Sequence, residues 1–328
     1  MKKIFLTLVA AAMAVLTVSA QDMAQATENY NNGAMELQMG NKAEALTYFQ
    51  AALSMAEALG DEGLDIVNNC KNTIPVLMAS IGKDLVKAES FDAAIEQFNK
   101  TIEVAESYGN AEVVEETKAL IPQVLMSKAG DLLNAKDFAG ASAVYQQVVD
   151  ADPANGMAAL RLGMALAAQN KVAEAEAAYV QAAANGQEKN ANKQLSTMFV
   201  KLAQAASKAK KFQEVLDYTA KSNQYLENAN AYRFAAAASQ QLGKNADCIA
   251  NYEKYLQLSP NAKDANGVKF TIAALYQQAG NNAKAKEYYQ AVSTAPQIGA
   301  AAQGSLIDET TARTACSGKR RGNRHRSN

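Results

Sequence analysis

Residues 236–260, AAASQQLGKNADCIANYEKYLQLSP, hold the pattern from which the rest of the chain can be read. Ala236 is followed twelve residues later by Cys248, and Cys248 four residues later by Tyr252; Leu242-Gly243-Lys244 lies between them and Pro260 closes the stretch. Two helices joined by a short turn approach closely only where their side chains are small. Ala236 and Cys248 are therefore expected at the crossing, and Tyr252, one turn beyond Cys248, projects from the same face. Gly243 supplies the left-handed residue that ends a helix.

The same spacing recurs along the chain. A small residue precedes an aromatic by four positions at Ala45 and Phe49, Ala94 and Phe98, Ala141 and Tyr145, Ala175 and Tyr179, and Ala285 and Tyr289, with Val215 and Thr219 as a degenerate copy. Twelve residues before each stands another small one: Gly33, Gly82, Ala129, Gly163, Ala203 and Ala273. Aromatics are only 7% of the sequence, so six of seven copies in one register are not a product of composition. Turn marks at Gly40-Asn41 and Gly280-Asn281 match Gly243. An internal repeat of this period governs the whole fold.

On these residues the chain resembles the tetratricopeptide repeat family over roughly residues 23 to 296. The resemblance implies an all-α fold, an α-solenoid wound as a right-handed superhelix from about seven helix-turn-helix units. The small residues of the second helices lie 49, 47, 34, 40, 33 and 37 residues apart. The first two intervals are long, and their extra residues, Leu53 to Asn69 and Val104 to Glu116, are amphipathic, which predicts extended helices. Residues 71–78 (KNTIPVLM) and 118–126 (KALIPQVLM) repeat one another with Ile-Pro 47 residues apart. Both are expected at helix starts. All five prolines (Pro75, Pro122, Pro153, Pro260, Pro296) are expected between repeats or at a first helical position, where the missing N–H costs least. The polar run from Asn185 to Asn190 suggests a bend, giving N-terminal repeats over 21–184 and C-terminal repeats over 185–303, with a capping helix beginning at Ala300 to Gln303.

The first twenty residues read as an address. Lys2 and Lys3 precede an apolar run of fifteen residues, Ile4 to Val18, and then Val18-Ser19-Ala20 before Gln21, the pattern of a cleavable signal peptide over 1–20. The run falls short of the roughly 20 residues a membrane span needs, and no Cys follows Ala20 for lipid anchoring. The mature chain is expected to be periplasmic or secreted, without a transmembrane segment.

Charge excludes some functions. Of 32 Lys and Arg, two lie in the leader and six at or after Arg313, leaving 24 against 33 acidic residues over 21–309, a net of −9. An acidic body of this kind is a poor nucleic-acid binder. The only histidine is His325, so the repeats have no imidazole for a catalytic triad or zinc cluster. No glycine-rich phosphate loop, Gly-x-Ser-x-Gly or Cys-x-x-Cys occurs, and pairs such as Glu115-Glu116 and Asp150/Asp152 read as caps or solvated charge. Cys70, Cys248 and Cys316 are odd in number and far apart, which is no disulfide framework, although one pair could form. Neither enzyme activity nor a cofactor is expected.

The resemblance implies a non-catalytic scaffold or adaptor in the bacterial envelope, holding peptides or helices of other proteins on its first helices. The family's groove positions fall on Tyr30, Lys83, Lys87, Met126, Leu133, Met157, Leu160, Met164, Arg233 and Phe270. Methionines suit surfaces that accept varied apolar partners. A slip of one residue in register would turn Met126, Leu160 and Met164 into the core. Arg161 and Arg233, the only arginines before Arg313, are expected to pair with a carboxylate, internal or on a partner. The tail 304–328 carries Lys319, Arg320, Arg321, Arg324 and Arg326. It reads either as a disordered basic arm touching anionic lipid or lipopolysaccharide, the alternative function, or as a shifted reading frame that has replaced a native terminal helix.

Overall fold

The computed structural model describes the backbone of residues 2–306 and the side chains of residues 20–306. Within them fourteen α-helices follow in seven pairs: α1 (Lys2–Met39) with α2 (Lys42–Ala58), α3 (Leu64–Lys87) with α4 (Phe91–Ser107), α5 (Ala111–Asn134) with α6 (Phe138–Ala151), α7 (Gly156–Ala168) with α8 (Val172–Ala182), α9 (Glu188–Lys208) with α10 (Phe212–Tyr225), α11 (Ala229–Gln241) with α12 (Asn245–Leu258), and α13 (Ala265–Gln278) with α14 (Asn282–Gln290). Residues 299–306 add one more helical segment, and no strand occurs among the described residues. This is the all-α, solenoid class of fold. The chain divides into two compact units, Met1–Ala175 and Glu176–Asn328. Inside each, successive helices pack on one another, and first helices also touch, α1 with α3, α3 with α5, and α9 with α11. None of the described helices is long and apolar enough to cross a membrane.

All fourteen small positions of the repeat are buried, from Gly33 and Ala45 in the first pair to Ala273 and Ala285 in the seventh. In the first two pairs the aromatic lies on the small residue of its own pair, and Phe98 also packs toward the next pair, with Leu120, Ile121 and Val124 of α5. A Cβ on Gly33 would come within 3.0 Å of the Phe49 ring, and one on Gly82 within 2.7 Å of Phe98 Cδ1. At Gly33 and Gly82 the missing side chain on the first helix is the seat of the ring on the second. Tyr30 and Phe270, three residues before their small positions, meet Phe49 and Tyr289 edge to face at 5.4 Å in both cases.

The turn inside every pair has one residue with φ between 56° and 85°: Gly40, Glu89, Lys136, Asn170, Lys210, Gly243 and Gly280. Each is followed by an N–H that reaches back five residues to the first helix, as from Asn41 to Glu36, Ser90 to Leu85 and Lys211 to Ala206. These are Schellman closures. Three were legible from Gly; the others use Asn or a charged residue.

Residues 71–78 and 118–126 depart from expectation. Pro75 and Pro122 lie inside α3 and α5, not at their starts. Each is the twelfth residue of a 24-residue helix. An interior proline forfeits a hydrogen bond and crowds the preceding carbonyl, at about 3 kcal/mol or more. The residues before it compensate. Val67, Cys70 and Ile74 are buried near Ala52, Leu53 and Ala56 of α2, and Val113 and Val114 near Ala105 of α4. Two such aliphatic side chains are worth about 3–6 kcal/mol at ~1.5–3 each, so the helix continues upstream through the proline. Lys71 and Lys118, four residues before the prolines, pair with Glu57 at 2.9 Å and Glu106 at 3.1 Å. The long intervals are thus extended helices, while Leu59-Gly60-Asp61 enters a 3₁₀ turn, Gly60–Gly63. Pro153, Pro260 and Pro296 do lie between helices.

The polar run after Asn185 begins in a π-type turn, Ala183–Gln187, where Gly186 has φ 82°. In the second unit tyrosines bind carboxylates between helices. Glu253 accepts from Tyr276 at 3.0 Å and Tyr288 at 2.9 Å, and Glu176 accepts from Tyr225 at 2.8 Å and pairs with Lys221 at 2.9 Å. Ala302 of the last helical segment is buried with Tyr289 and Val292. The predicted tail boundary at 304 falls inside that segment. Cys316, Lys319, Arg320, Arg321, Arg324 and Arg326 lie outside the described residues.

Candidate functional site: the first-helix face

The register of the repeat decides which residues of a first helix face outward. With Gly163 and Ala165 buried, Met157 and Met164, seven residues apart on one side of α7, are 40% and 37% exposed. Leu160 between them is 8% exposed and belongs to the core, so the groove position assigned to it is corrected: it lies one turn along but is rotated toward the inside. Met126 and Leu133, also seven apart, are half-buried on α5. Tyr30 and Phe270 are half-buried too, their rings engaged by their own repeats.

Charged candidates have separate fates. Lys83 and Lys87 are exposed on α3, and Lys87 shares Asp84 with Lys42. Arg233 pairs with Asp264 at 2.8 Å, which also accepts from Tyr255 at 2.6 Å. That hydrogen bond first, and then the Arg233 charge, holds the Asp264 carboxyl below the usual carboxylate range. Arg233 therefore finds an internal carboxylate. Arg161 lies beside Tyr145 instead, where its charge opposes the rise that burial imposes on the phenol.

Thiol chemistry is suppressed. Cys70 and Cys248 are buried free thiols. Burial pushes both up to about 11, so neither is a nucleophile near neutral pH. Among the described residues, no three His, Cys, Asp or Glu side chains gather as a metal site.

A furrow between α3 and α5 escaped the sequence reading. Two cavities open along it, one of about 550 Å³ lined by Asn72 and Val76 with Asn110, Glu112 and Glu116, the other of about 200 Å³ lined by Lys83, Val86, Leu120, Val124 and Ser127. On α3, Asn72, Val76 and Lys83 stand at i, i+4 and i+11. On α5, Glu112, Glu116, Leu120, Gln123 and Ser127 likewise fall on one stripe. The two cavities are thus successive openings of one furrow. Val76 is 54% exposed there, a large apolar side chain left to solvent. Its signal was available, because Val76 precedes Gly82 by the six residues that separate Met157 from Gly163. Carrying one more groove position through the register would have found Val76, though not the cavity it borders.

Residues 127–191 match the family model for the tetratricopeptide repeat. No curated protein matches the chain. Among solved structures it is similar to MamA, at 20% identity over 49% of this chain and 90% of that one, with a TM-score of 0.32. It is also similar to YrrB, described as a TPR protein with an unusual peptide-binding site, at 17% identity over 57% and 92%, TM-score 0.33. PilF of Pseudomonas aeruginosa is similar at 16% identity over 59% and 87%, TM-score 0.30.

Proposed function

We propose that this chain, a tetratricopeptide repeat protein, is a non-catalytic scaffold that holds segments of other proteins on its first helices, and that it does so in the bacterial periplasm or outside the cell. Exposed Met157 and Met164 on one side of α7 carry the reading, because that side is turned outward by a register whose small residues are all buried. Apolar, flexible side chains at half exposure are costly to leave in water and adaptable in contact. The leader-like first twenty residues support export.

A photo-crosslinking residue placed at Met164 should capture discrete partner proteins in intact cells, whereas one at exposed Gln146 on the second helix α6 should not. Equal capture at both positions, or none at Met164, would remove the first-helix face as the binding surface. Export is tested separately: the protein from a periplasmic or secreted fraction should begin at Gln21, and an uncleaved cytoplasmic chain would overturn it.

A further inference from the structure

The α3/α5 furrow is electrically polar along its length. At the end nearest the start of α5, Glu112 and Glu116 are exposed beside Val76, and neither has an ion-pair partner among the described residues. At the other end Lys83 is exposed and likewise unpaired, with Lys87 one turn beyond. Other lysines of α3–α5 are engaged: Lys71 with Glu57, Lys118 with Glu106, Lys128 with Asp92. The furrow thus keeps free acids at one end, a free cation at the other, and an apolar cavity over Val86, Leu120 and Val124 beside the cation.

We infer that this furrow is a docking site for a peptide segment lying along the helices, with a basic side chain between Glu112 and Glu116, an apolar side chain in the cavity over Val124, and a carboxylate side chain beside it at Lys83. The inference rests on the reading of the first helices as a partner-binding face and adds direction and chemistry to it. Spacing follows from helix geometry. Val76 to Lys83 and Glu116 to Gln123 are each seven residues, a rise of ~10 Å at ~1.5 Å per residue. An extended segment covers that in about three residues at ~3.3 Å each. The occupant therefore carries Arg or Lys three residues from an apolar residue flanked by Asp or Glu. Reading the segment in either chain direction keeps the acid next to the apolar anchor, so the order of charges relative to the anchor is the recognised feature.

Two capped, fluorescein-labelled peptides of identical composition test this by anisotropy with the mature full chain: Gly-Ser-Arg-Ser-Ser-Leu-Glu-Ser-Gly, and a swapped control with Glu and Arg exchanged. The first should bind about tenfold tighter, and added salt should erase the difference. The triple variant Lys83→Glu, Glu112→Lys, Glu116→Lys should prefer the swapped peptide, and Ser127→Trp, which fills the furrow from an exposed position, should weaken the first peptide at least fivefold while circular dichroism stays unchanged. Equal affinities for the two peptides, no binding up to millimolar concentration, or an unchanged preference in the triple variant would overturn the inference. Crosslinking from Met164 that persists under any of those results would leave the broader scaffold reading standing. The double variant Met157→Glu, Met164→Glu should keep the peptide preference.

Discussion

Replacing Gly82 with alanine should destabilise the first unit, and the structure sets the size of the effect. A Cβ at this position would stand 2.7 Å from Phe98 Cδ1 and closer still to Cε1, where real Cβ atoms essentially never come within 3.0 Å of a neighbour. Phe98 is fully buried with Ala94 and Val124, and Leu85, Val86, Leu120 and Ile121 pack around it, so the ring has little room to yield. Overpacking of this kind costs about 1–3 kcal/mol, against a gain of roughly 0.8–1 kcal/mol from exchanging Gly for Ala within a helix. With the ring approached this closely the cost falls in the upper part of that range, ~2–3 kcal/mol, and a net loss of about 1–2 kcal/mol follows. The same change at Gly33 meets Phe49 at 3.0 Å; a shift of a few tenths of an ångström relieves it, and the two effects nearly cancel. Urea unfolding followed by circular dichroism, compared at a common slope, reads the difference as a shift in midpoint. Phe98→Leu should cost stability alone yet recover part of the loss beside Gly82→Ala, since the two residues share one contact. Gly82→Ala as stable as the parent, or no worse than Gly33→Ala, would refute the idea that the missing side chain is the seat of the ring.

Other outcomes follow from the turns, the charges and the thiols. Glu89→Gly, Lys136→Gly and Lys210→Gly should each raise stability by about 0.5–1 kcal/mol in thermal unfolding, because a left-handed conformation costs other residues ~1–2 kcal/mol and Gly returns part of that as chain entropy. The carboxyl of Asp264 titrates lower in the folded chain than in the unfolded one. Its contribution is therefore present above the ordinary carboxylate range and lost as pH falls through the lower folded value. Asp264→Asn should melt below the parent at pH 7, with the gap closing as pH falls below the ordinary carboxylate range; a gap that widens on acidification would reverse the assignment. Cys70 and Cys248 should resist a thiol reagent at pH 8 in the native chain and react at once in guanidinium, as thiols at about 11 behind a packed core must.

The pattern seen in residues 236–260 was enough to place seven helix pairs, because close helix crossings tolerate only small side chains and aromatics are scarce. Three of the seven internal turns were visible through Gly. The other four were not, since the turn is closed by backbone hydrogen bonds that Glu89, Lys136, Asn170 and Lys210 also satisfy. Pro75 and Pro122 misled because local rules place proline at helix starts, whereas burial of Val67, Ile74, Val113 and Val114 in the tertiary structure carries the helix past it. Leu160 was misplaced for a finer reason: it stands only about 40–60° around α7 from Met164 and Met157, and repeat spacing cannot resolve so small a rotation. The furrow needed two helices at once. Neither stripe on α3 or α5 is unusual by itself, and only their apposition makes a cavity.

The matched prolines make α3 and α5 interchangeable parts. Each carries the same interruption at the same height, preceded by a lysine bound to the end of the helix before it, so the piece from Pro75 to Ile121 ends at the same kind of joint at which it begins. A second copy of these 47 residues, spliced between Ile121 and Pro122, would meet at both seams the neighbours it already has, and the array could be lengthened by one rung, with a second furrow beside the first.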